Sequence, residues 1–508
     1  MKKIFLMAAL LIVFTMAGCG ENDTEKIIKQ FGDKINTNSE NIDKEEAEIT
    51  DKTPEIVKKD DETETNVTDD NKKQEEIVDK EPEIYETPAE AFEYSNNGDS
   101  ITITGLTDKS LEEIYIPRKI EGLPVTVIGE ECFEECSNIK KIVIPDTVVS
   151  IKKCAFYNCE NLIEVEMTDS VMEIEHGAFC FCKQLPEIRV SKNVKQINAQ
   201  VFWACTSLKK VEMSDDITLI DYGAFGNCES LSDIKIPTSV TEIGKQAFYK
   251  CKSLRNVEFG NGLVEIKEDA FLFCEGIQEV IIPGNVKKVG DDAFYGCGEL
   301  KTVNIMNGVE DIGYNAFYYC IIDEFIIGGT VQLDYGEFQG QAIKRVVLQE
   351  GITEIPTNAF YDCVNLVEVV IPNSVTKIED SAFRNCISMT AIIIPDSVTE
   401  LGDGVFSGCT SLKNVKLPKE IQKIPSSLFY RNVALEEVII PDGVEKIDSY
   451  AFSECSGLKK IRIPNSVTTI NQYAFYQNEC LPSIITTMGS YADSWAKQNG
   501  YGDNIIYE

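Results

Sequence analysis

Thirteen cysteines recur along the chain at nearly constant spacing, and they are the residues whose type and pattern most suggest chemistry. Each follows a phenylalanine by three positions, and most neighbours in this cysteine row are 23 residues apart. Evenly spaced thiols can form disulfides, bind soft metal ions, or fill tight corners as small apolar side chains. The cysteine row consists of Cys136, Cys159, Cys182, Cys205, Cys228, Cys251, Cys274, Cys297, Cys320, Cys363, Cys386, Cys409 and Cys455.

We favour a packing role for the cysteine row, because side chains stacked in register point the same way and not toward each other. Asn432 and Asn478 take the cysteine position in two further units, which suits packing or hydrogen bonding. A zinc site needs clusters such as C-x-x-C, and the nearest approach, Cys180-Phe181-Cys182, lacks partners. The sequence therefore predicts no cofactor and no metal site.

Charge and histidine content exclude several classes of function. The 48 basic and 84 acidic residues give a net charge of −36, which repels the phosphate backbone of nucleic acids. The only histidine is His176, so proton relays that need two imidazoles are excluded and at most one histidine-based triad could form. Acidic pairs such as Asp291-Asp292 lack the D-x-D-x-D-G pattern of a calcium loop. We expect no catalysis and no nucleic-acid partner.

The first residues have the pattern of an export signal. Lys2 and Lys3 precede an apolar run over residues 4–15, which is too short to span a bilayer. The following Met16-Ala17-Gly18-Cys19 resembles the lipobox of bacterial lipoproteins, although methionine stands where leucine is usual. The resemblance implies a signal peptide over 1–18, lipidation of Cys19, and anchoring by that lipid alone to the extracellular face of a bacterial membrane. The alternative is an ordinary cleaved signal.

Residues 19–90 are predicted to form a disordered acidic stalk. Between residues 21 and 90 there are 24 acidic and 10 basic side chains, and the apolar residues are isolated. Such a segment cannot bury enough apolar surface to offset the conformational entropy lost on folding. A short helical bundle would need a continuous apolar stripe, which is missing.

The rest of the chain repeats one unit sixteen times. A phenylalanine recurs every 23 residues in thirteen of fifteen steps, with spacings of 21 and 22 around Phe338. Alanine precedes it in eleven units, and apolar residues follow nine and eleven positions later. These phenylalanines are Phe133, Phe156, Phe179, Phe202, Phe225, Phe248, Phe271, Phe294, Phe317, Phe338, Phe360, Phe383, Phe406, Phe429, Phe452 and Phe475.

The unit predicts a winding of two short strands. Alternating apolar residues indicate a strand with every second side chain inward, and a proline often ends it by removing a hydrogen-bond donor. A second short extended run follows, and the A-F-x-x-C segment turns the chain back. One winding cannot bury its own apolar face, whereas stacked windings can. The expected fold is mostly β with short helical or 3-10 turns, a solenoid of about 16 coils.

These units resemble the 23-residue leucine-rich repeat of the BspA type, found in bacterial surface proteins. The likeness is carried by segments such as Ile236-Pro237-Thr238-Ser239-Val240-Thr241-Glu242-Ile243-Gly244 and Ala247-Phe248-Tyr249-Lys250-Cys251, and it spans about residues 99–486. It implies a right-handed solenoid displayed on the cell surface, adhesion to host or neighbouring cells in some members, and no catalytic residues.

Both ends of the solenoid are expected to be capped. We assign 91–132 to an N-terminal cap and entry coil with a hairpin at 96–99, 133–486 to the solenoid, and 487–508 to a C-terminal helical cap. Ser490 is suited to cap that helix, with Asp493 three residues later. Trp495 is interpreted as an anchor for the cap.

Two surfaces are candidates for binding another macromolecule. Outward strand positions carry the exposed apolar residues Ile281, Val370, Ile393 and Ile439, and the position after the phenylalanine carries Tyr249, Tyr295, Tyr318 and Tyr361. The tyrosines can equally pack between coils, and the strand residues can reflect β-propensity alone. The favoured function is binding a protein or glycan on a host or bacterial surface; the alternative is a surface lipoprotein that captures carbohydrate.

Overall fold

The computed structural model describes residues 85–478 and 482–508. The chain divides into two units, 1–81 and 82–508, and every described residue belongs to the second. The predicted signal peptide, the lipidated Cys19 and nearly all of the stalk lie outside the described residues.

The described chain begins with a small mixed arrangement of strands. A 3-10 helix (Ala89–Ala91) precedes β1 (Phe92–Asn96) and β2 (Ile101–Leu106), which form an antiparallel hairpin where the sequence predicts one. Then come β3 (Glu113–Tyr115), β4 (Lys119–Ile120) and β5 (Leu123–Ile128). β2 pairs with β5 in parallel, so the hairpin starts one of the two strips of the solenoid.

Eighteen strands, one per winding, form the first strip, which we call the front strip. Sixteen of them each follow a repeated phenylalanine, and β3 and the last strand add one winding at each end. They are β3, β6 (Lys141–Ile144), β8 (Glu164–Met167), β10 (Glu187–Arg189), β12 (Lys210–Glu212), β14 (Asp233–Lys235), β16 (Asn256–Glu258), β18 (Glu279–Ile282), β20 (Thr302–Ile305), β22 (Ile321–Ile327), β23 (Ala342–Leu348), β25 (Glu368–Val370), β27 (Ala391–Ile393), β29 (Asn414–Lys416), β31 (Glu437–Ile439), β33 (Lys460–Arg462), β35 (Ser483–Thr486) and β36 (Ile505–Tyr507).

A second row of strands, the side strip, runs along the solenoid after β5. Paired strands in both rows are parallel and match residues one winding apart, as Ile243 matches Ile266. The side strip consists of β7 (Ser150–Ile151), β9 (Glu173–Ile174), β11 (Gln196–Ile197), β13 (Leu219–Ile220), β15 (Glu242–Ile243), β17 (Glu265–Ile266), β19 (Lys288–Val289), β21 (Asp311–Ile312), β24 (Glu354–Ile355), β26 (Lys377–Ile378), β28 (Glu400–Leu401), β30 (Lys423–Ile424), β32 (Lys446–Ile447) and β34 (Thr469–Ile470).

Turns, and not 3-10 helices, form the corner of each coil around the phenylalanine. In most units, the residues two before and two after the phenylalanine have positive φ, as at Gln246 (58°) and Lys250 (56°). This backbone lets N–H groups of one corner donate to carbonyls of the next coil; the N–H of Phe248 donates to the oxygen of Ala270 at 2.8 Å. The two 3-10 helices of the described chain lie only at its ends.

The repeated phenylalanines form a continuous inner stack. Neighbouring rings lie 5.0 to 5.9 Å apart and are close to parallel. The stack is interrupted between Phe317 and Phe338, where Phe325 from β22 lies edge-on at 5.3 Å from the first and 5.2 Å from the second. A strand residue therefore completes the core of the shortened winding.

Each cysteine of the row beyond the first donates a hydrogen bond from its thiol to the main chain. Twelve thiols lie 3.0 to 3.5 Å from the carbonyl oxygen of the phenylalanine of the preceding coil. All sixteen described cysteines are free. Burial raises the thiol pKa, to about 12 at Cys363, Cys409 and Cys455. The row thus combines packing with hydrogen bonding.

The two asparagines of the row differ in hydrogen bonding. Asn478 donates to the carbonyl of Phe452 at 3.0 Å and accepts from the N–H of Cys455 at 2.8 Å. Asn432 is fully buried, yet neither polar atom of its amide has a partner among the described residues. An unsatisfied buried polar group costs about 1–3 kcal/mol.

Asn432→Cys is therefore expected to raise the free energy of unfolding by about 1–3 kcal/mol, since a thiol there can bond the preceding phenylalanine carbonyl. Chemical denaturation of the two proteins measures the change. Asn478→Cys is the matched control and should leave stability unchanged or reduce it. Equal effects of the two substitutions would contradict the hydrogen-bonding explanation.

The two shortened windings differ from the others in both strips. β22 and β23 have seven residues each, because the corner after the phenylalanine has lost one residue and the chain enters the strand sooner. The side strip has no strand between β21 and β24 in this part of the described chain. Glu337 occupies the usual alanine position, and burial raises its pKa to about 8.

The C-terminal cap is helical, as predicted. In α1 (Tyr491–Gln498), the Ser490 side chain accepts a hydrogen bond from the N–H of Asp493, and Asn499 ends the helix. The Trp495 ring lies 5.6 Å from Phe475, the last ring of the stack. After a 3-10 helix (Gly502–Asn504), β36 pairs with β35 and closes the front strip.

Candidate binding surface

The outer face of the front strip has two halves of different character. In the N-terminal half, the position ten residues after the phenylalanine alternates in charge, with Glu166, Arg189, Glu212, Lys235 and Glu258. Glu166, Arg189 and Glu212 form ion pairs on this face, such as the 2.8 Å contact of Arg189 with Asp169. The Lys192 and Arg189 side chains hydrogen-bond the Asp169 carboxylate and lower its pKa. This half is a surface of mixed charge.

The C-terminal half presents a row of exposed β-branched side chains. The predicted residues Ile281, Val370, Ile393 and Ile439 all lie on this outer face, with exposed fractions of 46, 37, 68 and 59%. Two residues that sequence analysis missed, Ile326 and Val347, join them and are half-buried. We call these six residues the apolar stripe.

Strand pairing makes the middle of the apolar stripe continuous. Ile326 is opposite Val347, and Val347 is opposite Val370, on adjacent parallel strands. Asn304 lies between Ile281 and Ile326, and Lys416 adjoins Ile393. Ile326 and Val347 were missed because each shortened corner moves the outward residue one position closer to its phenylalanine. Counting from the strand's own inward residues would have found them.

Charged side chains border the middle of the apolar stripe. The Arg345 guanidinium binds Glu324 on one side and Glu368 on the other, the latter at 3.1 Å. Hydrogen bonds to these two carboxylates raise the pKa of Arg345. The surface therefore consists of an apolar strip with a fixed charged edge, the composition expected of a protein interface with a polar rim.

The four predicted tyrosines are half-buried and pack along the corners. Tyr249 stacks against Trp203 of the winding two coils earlier, with ring centroids 6.0 Å apart, while Tyr295 lies 6.1 Å from Tyr318. The Lys250 ammonium lies 4.9 Å from the Tyr249 ring and the Arg384 guanidinium 5.9 Å from Tyr361. Burial raises the pKa of Tyr295 and Tyr318. These rings chiefly connect coils.

A smaller group of tyrosines near the shortened windings is exposed, and sequence analysis did not single it out. Tyr314, Tyr319 and Tyr335 have exposed fractions of 70, 54 and 71%. Tyr319 contacts the rings of Tyr295 and Tyr318 at 5.2 and 4.7 Å. The exposed Tyr319 ring is therefore supported from the side by two half-buried rings.

The described residues contain neither a cluster of three or more potential metal ligands nor a helix long and apolar enough to cross a bilayer.

A groove of about 250 Å³ lies beside the gap in the side strip, between Val331, Leu333, Ile352 and Glu354. His176 is a surface residue whose carbonyl accepts from the N–H of Cys154.

The chain is similar to leucine-rich repeat proteins of known structure. A protein from Bacteroides ovatus is 26% identical and has a TM-score of 0.50, the match covering 79% of this chain and all of that one. A leucine-rich cell surface protein from Faecalibacterium prausnitzii is 26% identical, with 81% and 97% covered and a TM-score of 0.32. The T. pallidum leucine-rich repeat protein is 29% identical and has a TM-score of 0.33, the match covering 42% of this chain and 91% of that one.

A comparison with curated proteins found no match. The family model of the BspA type leucine-rich repeat region matches residues 99–232, 218–340, 331–459 and 422–492, which together span most of the chain. The phenylalanine stack, the cysteine row and the two parallel strips are the structural form of that repeat in this protein. The chain belongs to the BspA type leucine-rich repeat family.

Proposed function

We propose that this protein binds another macromolecule at a cell surface through the apolar stripe, and that its partner is a protein on a host cell or a neighbouring bacterium. The observation that carries the proposal is the exposure of Ile281, Ile393 and Ile439 on the outer face of the front strip. Exposed apolar residues that lie in line have no role in the solenoid core and favour contact with a partner. Leucine-rich repeat folds commonly serve protein interaction.

Two separate observations favour a location at the cell surface. The family and the cell surface protein of Faecalibacterium prausnitzii favour surface display. The lipobox-like Met16-Ala17-Gly18-Cys19 favours a lipid on Cys19, with the residues up to 90 serving as a tether. Under this proposal the lipid supplies the attachment and the solenoid supplies the recognition, with no catalysis.

The proposal predicts that three aspartates on the apolar stripe reduce binding at least about tenfold, since each substitution removes apolar contact and places a charge in a desolvated interface. The variant carries Val370→Asp, Ile393→Asp and Ile439→Asp. Binding is measured against an array of extracellular-matrix proteins, intact bacterial cells and a glycan array, with the full chain displayed on beads.

The control adds the same charge to the same region on a different face. Thr376, Thr399 and Thr468 are exposed, each directly before a strand of the side strip, and are changed to aspartate together. This control should bind as the unmodified protein does. Equal loss in both variants, or no binding to any member of the three panels, would rule out the apolar stripe as the recognition surface.

Carbohydrate capture remains the second candidate because of one observation, the exposed ring of Tyr319, which lies edge-on to Tyr318. Aromatic rings with an open face can stack on sugars. The other predicted tyrosines support this candidate less, because their rings pack against neighbouring coils. Binding confined to the glycan array and unaffected by the three stripe aspartates would favour it over protein recognition.

A further inference from the structure

Two cysteines outside the cysteine row lie in neighbouring windings. Cys154 stands two residues before Phe156, and Cys180 stands one residue after Phe179. Both are free thiols; Cys154 is partly exposed and Cys180 is buried. Neither thiol donates a hydrogen bond within the described chain, unlike the twelve bonded members of the cysteine row.

Backbone hydrogen bonds bring these two residues to the same place. The N–H of Cys154 donates to the oxygen of His176 at 3.0 Å, which sets Cys154 over Gly177 in the next coil. The N–H of Cys180 donates to the oxygen of Gly177 at 3.0 Å and closes a turn. The turn returns Cys180 to the side of Gly177.

Gly177 leaves open the space that the two side chains border. A Cβ atom built on Gly177 would lie 3.2 Å from Sγ of Cys154 and 3.8 Å from Cβ of Cys180. The distance between the Cys154 sulfur and the Cys180 Cβ is therefore at most the sum of these two distances. With φ at +64°, position 177 suits glycine.

The number of residues that separates Cys154 from Cys180 explains why these two cysteines differ from those of the cysteine row. Members of the row such as Cys159 and Cys182 are one winding apart, so their side chains are parallel and each thiol bonds a main-chain carbonyl. Cys154 and Cys180 differ by one winding plus three residues, so side chains from two coils border the same space beside Gly177. Burial, and then the neighbouring Cys154, raise the pKa of Cys180 to about 12.

We propose that Cys154 and Cys180 form a thiol–disulfide exchange site that accepts a small-molecule disulfide and closes into an intramolecular disulfide between the two coils. Cys154 is the entering thiol because it is the more exposed. Its thiolate attacks one sulfur of the small disulfide, the S–S bond breaks, and the departing thiolate takes up the proton that Cys154 lost. Cys180, after losing its proton to water, then attacks the Cys154 sulfur and releases the second small thiol. Two cysteines are oxidised and one disulfide is reduced to two thiols.

The test uses the full protein, first reduced and then incubated with glutathione disulfide without denaturant. Free thiols are alkylated, and the protein is mapped by mass spectrometry. We expect the loss of two thiols and one cross-linked peptide pair containing Cys154 and Cys180. Cys159 and Cys182, from the same two coils, are the matched control and should remain reduced.

Two variants separate the roles of the two thiols. Cys180→Ser should stop at a stable glutathione adduct on Cys154, and Cys154→Ser should leave Cys180 unmodified. Circular dichroism verifies that both variants fold. Retention of both thiols in the native protein, a cross-link formed only in denaturant, or equal pairing of Cys159 with Cys182 would overturn the proposal.

Discussion

Phe271→Ala is expected to lower the free energy of unfolding by about 3–5 kcal/mol, the usual cost of truncating a buried phenylalanine. The Phe271 ring is fully buried and lies 5.0 Å from both Phe248 and Phe294. Removing it leaves a void between two coils and separates two parts of the phenylalanine stack. Because each winding is stabilised only by its neighbours, the damage should be concentrated there.

Two measurements check this prediction. Chemical denaturation reports the loss of stability, and hydrogen exchange should show faster exchange around residues 248–294 than at the ends of the solenoid. Phe273→Ala is the matched control, since it removes the same side chain from the same corner. The Phe273 ring is only half-buried and lies edge-on to Tyr295 at 5.6 Å. A loss in the control as large as that in Phe271→Ala would show that stacking inside the coil is not the main source of stability.

Glu337→Gln is expected to stabilise the protein by about 3–5 kcal/mol above pH 8 and to have little effect at pH 5. Burial raises the pKa of Glu337 to about 8, and nearby Asp334 and Asp311 act in the same direction. The N–H of Asp334 donates to one carboxylate oxygen at 2.9 Å, while the other oxygen has no partner among the described residues. Its neighbour Gln341 also has an unpartnered oxygen.

The direction follows from proton binding. A carboxyl group whose pKa is higher in the folded than in the unfolded chain binds its proton more tightly when folded. Its contribution is therefore fully present below the unfolded pKa and decreases as the pH rises through the folded pKa, about 8 for Glu337. Glutamine is neutral at every pH, so the Glu337→Gln variant does not lose stability as the pH rises. Denaturation curves of both proteins between pH 5 and 9 measure the difference.

Glu379→Gln provides a control of opposite sign. Hydrogen bonds from Lys377 and Thr357 lower the pKa of Glu379 to about 2. Its contribution is lost only when the pH falls below the unfolded pKa, so the effect of Glu379→Gln should be constant and destabilising between pH 5 and 9. A constant effect of Glu337→Gln over the same range would contradict a buried, protonated Glu337.

Repeated residues allowed much of the fold to be predicted. The 23-residue period identifies which side chains face inward, because one winding cannot bury its apolar residues and identical windings must stack in register. The same argument places Ile281 and Ile393 outward on strands, and both are exposed in the structure. The count of about 16 coils was two fewer than the 18 front strands, since the first and last windings lack the phenylalanine.

Predictions from a period are less complete where the period changes. The shortened windings shift the strand register by one residue, so Ile326 and Val347 were missed and Phe325 could not be recognised as part of the core. The corners provide a second example. Sequence indicated a turn around each phenylalanine, but the pair of positive-φ residues at each corner depends on hydrogen bonds to the next coil.

The sequence by itself determined the stacked windings and the inward phenylalanines and cysteines, since each depends on residue type and spacing alone. Only the tertiary structure decided how the tyrosines pack, that Glu337 is buried, and that Cys154 and Cys180 border the same space beside Gly177. The physical reason is that these features arise between windings. Contacts between windings depend on the direction of each side chain and on the space that a neighbouring coil leaves open. The 23-residue period determines neither.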